Sequence, residues 1–191
     1  MTKTKTEAGG QTSLSLDHRL APHFTFGELT HSDTGQRLGL LDDLRREASA
    51  KVIVSRLRKV AEVLEYLRGV LGAPIQVTSG YRTIALNKAI GGSSRKSQHM
   101  TGSAADFVVP DLGSAWVALT DAAKRGKTPW PIGQVILESH KGANWIHVSL
   151  DNREGRKGGQ VMTYKGGAYR TTEWIDQPHP PLKMVPVPEG G

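Results

Sequence analysis

The chain contains no cysteine. That excludes a disulfide framework and any cysteine-ligated cluster, and it leaves histidine, aspartate and glutamate as the side chains able to hold a metal ion. Long apolar runs are missing as well. Met1 to Leu20 carries no apolar block, so no signal peptide is expected, and no later stretch is long enough to span a bilayer, so no transmembrane segment is expected. Aromatic residues make up only 6% of the chain. They are not interleaved with the basic residues, and there is no recognisable reading element, so specific nucleic-acid binding has no support. Acidic residues are outnumbered by basic ones, leaving a net charge of +7. Coulomb attraction then favours a polyanionic partner, although a solvated lysine- and arginine-rich surface has the same composition.

What remains is ample for one domain, since 191 residues can bury a core without staples. The composition divides into a flexible arm over 1–22, a single domain over 23–176 and a proline-rich flexible tail over 177–191. Order is expected from about Phe24. Thr25-Phe26-Gly27-Glu28 has the capping-box form with Phe24 and Leu29 as a hydrophobic staple, Ser32-Asp33-Thr34 reads as a turn or second cap, and Leu38, Leu40 and Leu41 as an apolar loop. Ile53, Leu57, Val60, Leu64, Leu67 and Leu71 recur at helical spacing, predicting a helix from about Ala48 to Leu71 that Gly72 stops. A strand over Ile75–Thr78, a short helix over Ile84–Ile90, a strand over Asp106–Val109 and a helix over Ser114–Arg125 follow. Strands over Gln134–Glu138 and Trp145–Ser149 come next, then a terminal hairpin from Val161–Tyr164 and Ala168–Thr172.

Chemistry gathers in Ser97-Gln98-His99-Met100-Thr101-Gly102-Ser103-Ala104-Ala105-Asp106 and, further on, Trp145-Ile146-His147-Val148-Ser149. Singly, each histidine has an ordinary reading as a core or surface residue, and Asp106 as a turn cap. Jointly, His99, Asp106 and His147 read as one zinc site, with two imidazoles and a carboxylate leaving one tetrahedral corner open, as catalytic zinc does. Mixed nitrogen and oxygen ligation suits zinc, although other divalent ions bind such a set in vitro. His99 and Asp106 lie too far apart along a helix for both to reach one ion, so the small residues Gly102 to Ala105 must fold the chain back.

The pattern Ser-x-His-x-x-Gly-x-Ala-x-Asp followed by Trp-x-His resembles the zinc peptidoglycan peptidases. These include D-alanyl-D-alanine carboxypeptidases, D-Ala-D-Ala dipeptidases and phage L-alanyl-D-glutamate endolysins, and the metal site is similar to that of the Hedgehog signalling domain. Ser79-Gly80-Tyr81-Arg82 is a third matching element, so the resemblance spans about Ile75 to Ser149. It implies one Zn²⁺, and an α+β fold in which a small antiparallel sheet carries the zinc with helices packed on one side. It also implies that Arg82 binds a carboxylate or carbonyl oxygen of the substrate peptide. Ser97 is expected to hydrogen-bond substrate or Asp106, with Tyr81 and Trp145 packing beside the pocket.

One departure matters. Several relatives carry the general base within three residues before the second histidine, where this chain has Asn144, Trp145 and Ile146. None of these can accept a proton. The best substitute is Glu138, with His140 second. If Glu138 stands opposite Trp145 in an antiparallel pair, it shares a face with His147, whereas a one-residue slip separates them. The expected activity is zinc-dependent hydrolysis of a peptide amide in bacterial peptidoglycan. The expected setting is a phage endolysin or virion-associated lysin, made in the cytoplasm and acting on the wall after release or as part of a virion. Anionic wall polymers are possible further partners. A D-alanyl-D-alanine carboxypeptidase, a noncatalytic Hedgehog-like zinc module and a structural phage tail component are the alternatives.

Overall fold

The computed structural model describes residues 13–91, 94–151, 159–165 and 167–175. The expected tail over 177–191 and the first twelve positions of the expected arm lie outside them. Structure begins earlier than Phe24: β1 (Arg19–Ala21) pairs antiparallel with β2 (Phe24–Thr25), and Leu20 is buried in the core. The segment before Phe24 is therefore only partly an arm.

Thr25 then caps α1 (Phe26–Leu29), its side chain accepting from the Glu28 N–H while the Glu28 carboxylate accepts from the Thr25 N–H at 2.7 Å. Ser32 caps α2 (Asp33–Arg37) from one side only, its hydroxyl oxygen accepting from the Gly35 N–H. The expected loop at Leu38, Leu40 and Leu41 runs from the C-cap of α2 to the first residue of α3 (Leu41–Ala48), a helix that buries Leu44 and Ala48. The long helix α4 (Lys51–Leu71) starts after a break. Ser49 makes the break by accepting the Leu14 N–H at 2.8 Å and donating to the Arg45 carbonyl at 2.7 Å. Gly72 stops α4 at φ 60.

The rest of the chain builds the main sheet. β3 (Gln76–Ser79) leads through α5 (Ile84–Ala89) and a 3₁₀ turn over Gln98–Thr101 into β4 (Ala104–Val108). Helix α6 (Leu112–Lys124) follows, then β5 (Ile132–His140), β6 (Ala143–Leu150), β7 (Gly159–Lys165) and β8 (Ala168–Ile175). The six strands run in the order β3-β4-β6-β5-β7-β8. All pairs are antiparallel except β5 and β7, which are parallel. The sheet beside the histidines is thus six-stranded and mixed, and the small antiparallel sheet is the separate β1–β2 pair. The expectation of a small antiparallel sheet around the metal fails because β7 joins β5 in parallel, a pairing that no local turn announces.

One face of the main sheet is covered. Leu57, Val60 and Leu64 of α4 and Leu119 of α6 belong to one core with Phe107, Val135, Ile146 and Val161. Alternation along the strands sends Asp106, Ile136, Glu138, Trp145 and His147 to the opposite face. No helix among the described residues is long and apolar enough to cross a membrane.

Candidate metal centre

His99, Asp106 and His147 come together from three different elements, all buried, with ligand atoms within 4.8 Å of one another. His99 sits in the 3₁₀ turn. Gly102 ends that turn at φ 72, in the left-handed region that glycine enters without strain. It also lets the chain lie against α4, since a Cβ there would stand 3.0 Å from Ile53 Cγ2. Asp106 and His147 are direct cross-strand partners on β4 and β6, so their side chains leave the sheet side by side.

One atom of each residue faces the other two. The His99 Nδ1–H donates to the Gly80 carbonyl at 2.7 Å, which fixes the tautomer and turns an unprotonated Nε2 into the cluster. Gly80 can be there only as glycine, because a Cβ would sit 2.2 Å from the Leu29 carbonyl oxygen at the end of α1. Asp106 divides its oxygens. Oδ2 accepts from Arg82 Nη2 at 2.7 Å, whereas Oδ1 lies 2.8 Å from His147 Nδ1 and 3.2 Å from His99 Nε2. His99 Nε2 and His147 Nδ1 are 3.2 Å apart.

These three atoms form a triangle with edges of 2.8, 3.2 and 3.2 Å. A tetrahedral ion with ligands at about 2.0–2.1 Å has edges of about 3.3 Å, so the triangle is close to one face of such a site. The donor set and its spacing therefore fit a zinc-type ion. Protonation agrees. Burial, opposed by Asp106, holds His99 below the usual imidazole value and so neutral. Burial alone would raise the Asp106 carboxyl, but the two imidazoles outweigh it and hold the group well below the usual carboxylate range.

Arg82 is a neighbour of the cluster. Its Nε donates to Ser79 Oγ at 2.9 Å and its Nη2 to Asp106, clamping the carboxylate from behind. A guanidinium has five N–H donors, so the substrate contact expected for Arg82 remains compatible with this clamp. Glu138 pairs with Trp145, and Ile136 with His147. Glu138 is therefore the diagonal neighbour of His147, about 7–8 Å away along the backbone and within reach of a long side chain. Burial first, and then the charge of Asp106, push its carboxyl up to about 7, against the opposing pull of His147 and Arg82.

The other expected residues divide. Trp145 lies on the site face beside Glu138. Tyr81 turns into the core, where its hydroxyl donates to Glu47. Ser97 opens the 3₁₀ turn through its backbone, its carbonyl accepting from the Met100 N–H at 3.2 Å. The partners of Asp106 are Arg82, His99 and His147, not Ser97. His140 ends β5 in an exposed position next to the hairpin turn. Sequence reasoning missed the Gly80 carbonyl, although its motif was in view, because a backbone acceptor leaves no residue-type signal. It also missed Tyr164 and Tyr169, whose rings meet at 4.6 Å on this same side, because only the parallel β5–β7 pairing brings that hairpin to the site.

A family model described as Peptidase M15 matches residues 22–149. That span holds all three cluster residues, Arg82 and Glu138, and it ends before β7. No curated protein and no solved structure gives a significant match.

Proposed function

Since the chain belongs to the peptidase M15 family of zinc peptidases, we propose that it hydrolyses a peptide amide of bacterial peptidoglycan, with His99, Asp106 and His147 holding zinc and Glu138 as the base. The observation that carries this reading is the placing of Glu138 on the same face as a three-donor cluster whose edges suit a tetrahedral ion.

When bound, zinc supplies Lewis acidity, polarising a carbonyl and acidifying water. The protein's own groups do the rest. The Gly80 carbonyl and the Arg82 guanidinium hold His99 and Asp106 in orientation. Glu138 takes a proton from the attacking water and returns it to the leaving amine as the C–N bond breaks. In the metal-free chain burial raises this carboxyl above its ordinary value, and a cation bound at Asp106 would draw it back towards the proton-accepting carboxylate. Arg82 has donors left to meet a substrate oxygen.

The net charge of +7 supports a role as a phage endolysin or virion-associated lysin, since it draws the chain towards anionic wall polymers. A D-alanyl-D-alanine carboxypeptidase would use the same groups, with Arg82 meeting a free terminal carboxylate. The noncatalytic zinc module, motivated by the missing base before His147, is the reading that holds if Glu138 accepts no proton. Mass spectrometry of muropeptides decides among these. Purified peptidoglycan is incubated with zinc-loaded protein, with Glu138→Gln in parallel. New fragments absent from the control are expected, and their masses identify the bond. No fragments from several wall types, with zinc still bound, would sink the peptidase reading.

A further inference from the structure

The site face does not end at Glu138. Parallel pairing places Tyr164 of β7 beside Glu138, and antiparallel pairing places Tyr169 of β8 beside Tyr164. Trp145, Glu138, Tyr164 and Tyr169 thus form one row across four strands. The two tyrosine rings are in contact, with centroids 4.6 Å apart and planes tilted by 41°. Trp174 pairs with Gln160, which alternates with Met162 and Tyr164, so it stands on the same face of β8. Tyr169 is 55% and Trp174 58% exposed. Strand spacing near 4.8 Å puts the Tyr169 backbone about 10 Å from that of Glu138.

The chemistry of this strip narrows its occupant. The Tyr169 phenol lies close enough to the site to feel Glu138 and Asp106. Partial burial and those charges push it up to about 12, so it remains an O–H donor. Phenol and indole groups hold a ligand through ring faces and hydrogen bonds rather than by ion pairing, which suits an uncharged one. An aliphatic side chain gains by enclosure, whereas these rings lie open on a sheet. A pyranose ring has what the strip lacks, a flat C–H face to lie on an aromatic ring and rim hydroxyls to meet a phenol.

We infer that Tyr164, Tyr169 and Trp174 form a platform for the uncharged sugar rings of a glycan strand, continuous with the candidate metal site. The hairpin carrying them lies beyond the family match, which ends at residue 149, so the platform is a property of this chain rather than of the matched core. The inference rests on the peptidoglycan reading and adds to it the requirement that the peptide be presented on its glycan.

The test is a titration of the ¹⁵N-labelled, zinc-loaded full chain with the N-acetylglucosamine tetramer, which contains no peptide bond to cleave. Saturable shifts at the amides of Tyr164 and Tyr169 and at the Trp174 indole are expected. Tyr169→Ala should weaken binding at least about tenfold, and Tyr169→Phe, which keeps the ring, by no more than about threefold. Absence of shifts on β7 and β8 at millimolar sugar, or equal losses in the two variants, would overturn the platform. Hydrolysis is followed separately on free stem peptide and on glycan-attached peptide. Cleavage with a silent titration removes the platform alone; a positive titration without cleavage of either substrate removes the peptidase reading alone. Where both hold, Tyr169→Ala narrows the KM gap between the two substrates.

Discussion

Glu138 and His147 share one face of the sheet because Ile136 stands opposite His147 and Glu138 opposite Trp145. That register decides whether the cluster has a proton acceptor. Shifted by one residue, Glu138 would enter the core face beside Ile146 and Val148, and the site would hold three donors and no base.

Glu138→Gln keeps the size of the side chain and removes its acceptor. Zinc content should be unchanged, while kcat on muropeptides falls by roughly 10²–10⁴. Metal analysis and turnover on the same preparation check this. Near-normal turnover would send the base role to another residue.

His99→Ala and Asp106→Asn each remove one donor of the triangle. Both should lose stoichiometric zinc and wall hydrolysis together, as read by elemental analysis after dialysis. The asparagine is preferred to alanine because it leaves a hydrogen-bond partner for the buried Arg82 guanidinium. Full zinc occupancy in both variants would refute the ligand set.

Arg82→Ala frees the rear oxygen of Asp106 without touching a ligand atom. Zinc affinity, measured by competition with a chelator, should drop about 10–100-fold. Arg82→Lys should recover only part of it, since a point charge cannot bridge Ser79 and Asp106 as the planar fork does. Unchanged affinity with a raised KM would restrict Arg82 to substrate binding.

The Glu138 carboxyl gives a pH signature in protein stripped of metal. Its value rises from 4.5 to about 7 on folding, so the folded chain binds more protons between those values. The stability it contributes is complete below about 4.5 and lost as pH rises through about 7. The wild type should therefore lose melting temperature relative to Glu138→Gln over that window. A constant difference between the two would mean that Glu138 titrates as it does in water.

Gly80→Ala forces a Cβ against the Leu29 carbonyl. Overpacking of this kind costs about 1–3 kcal/mol, or roughly 2–12 °C of melting temperature. Zinc affinity should fall too, because the displaced carbonyl orients His99. A melt indistinguishable from wild type would show that the α1 terminus yields.

The sequence by itself determined whatever is written within a few residues. The capping box at Thr25 and Glu28, the helix from Ile53 to Leu71 with its glycine stop, and the strands carrying Asp106 and His147 were legible because caps and periodicity are local. The likeness of His99, Asp106 and His147 to a zinc set was legible because few residue types bind zinc. Tertiary structure decided what depends on distant segments meeting. It added α3 ahead of the expected helix and set it apart from α4 at Ser49, where Leu14 bonds the side chain. It turned Tyr81 into the core and Arg82 onto Asp106. It chose the register that brings Glu138 to His147, and it laid β7 parallel to β5, which carries Tyr164 and Tyr169 to the site face. Pairings of that range are selected by the apolar surface the whole sheet buries against α4 and α6, a sum over the chain that no single stretch contains.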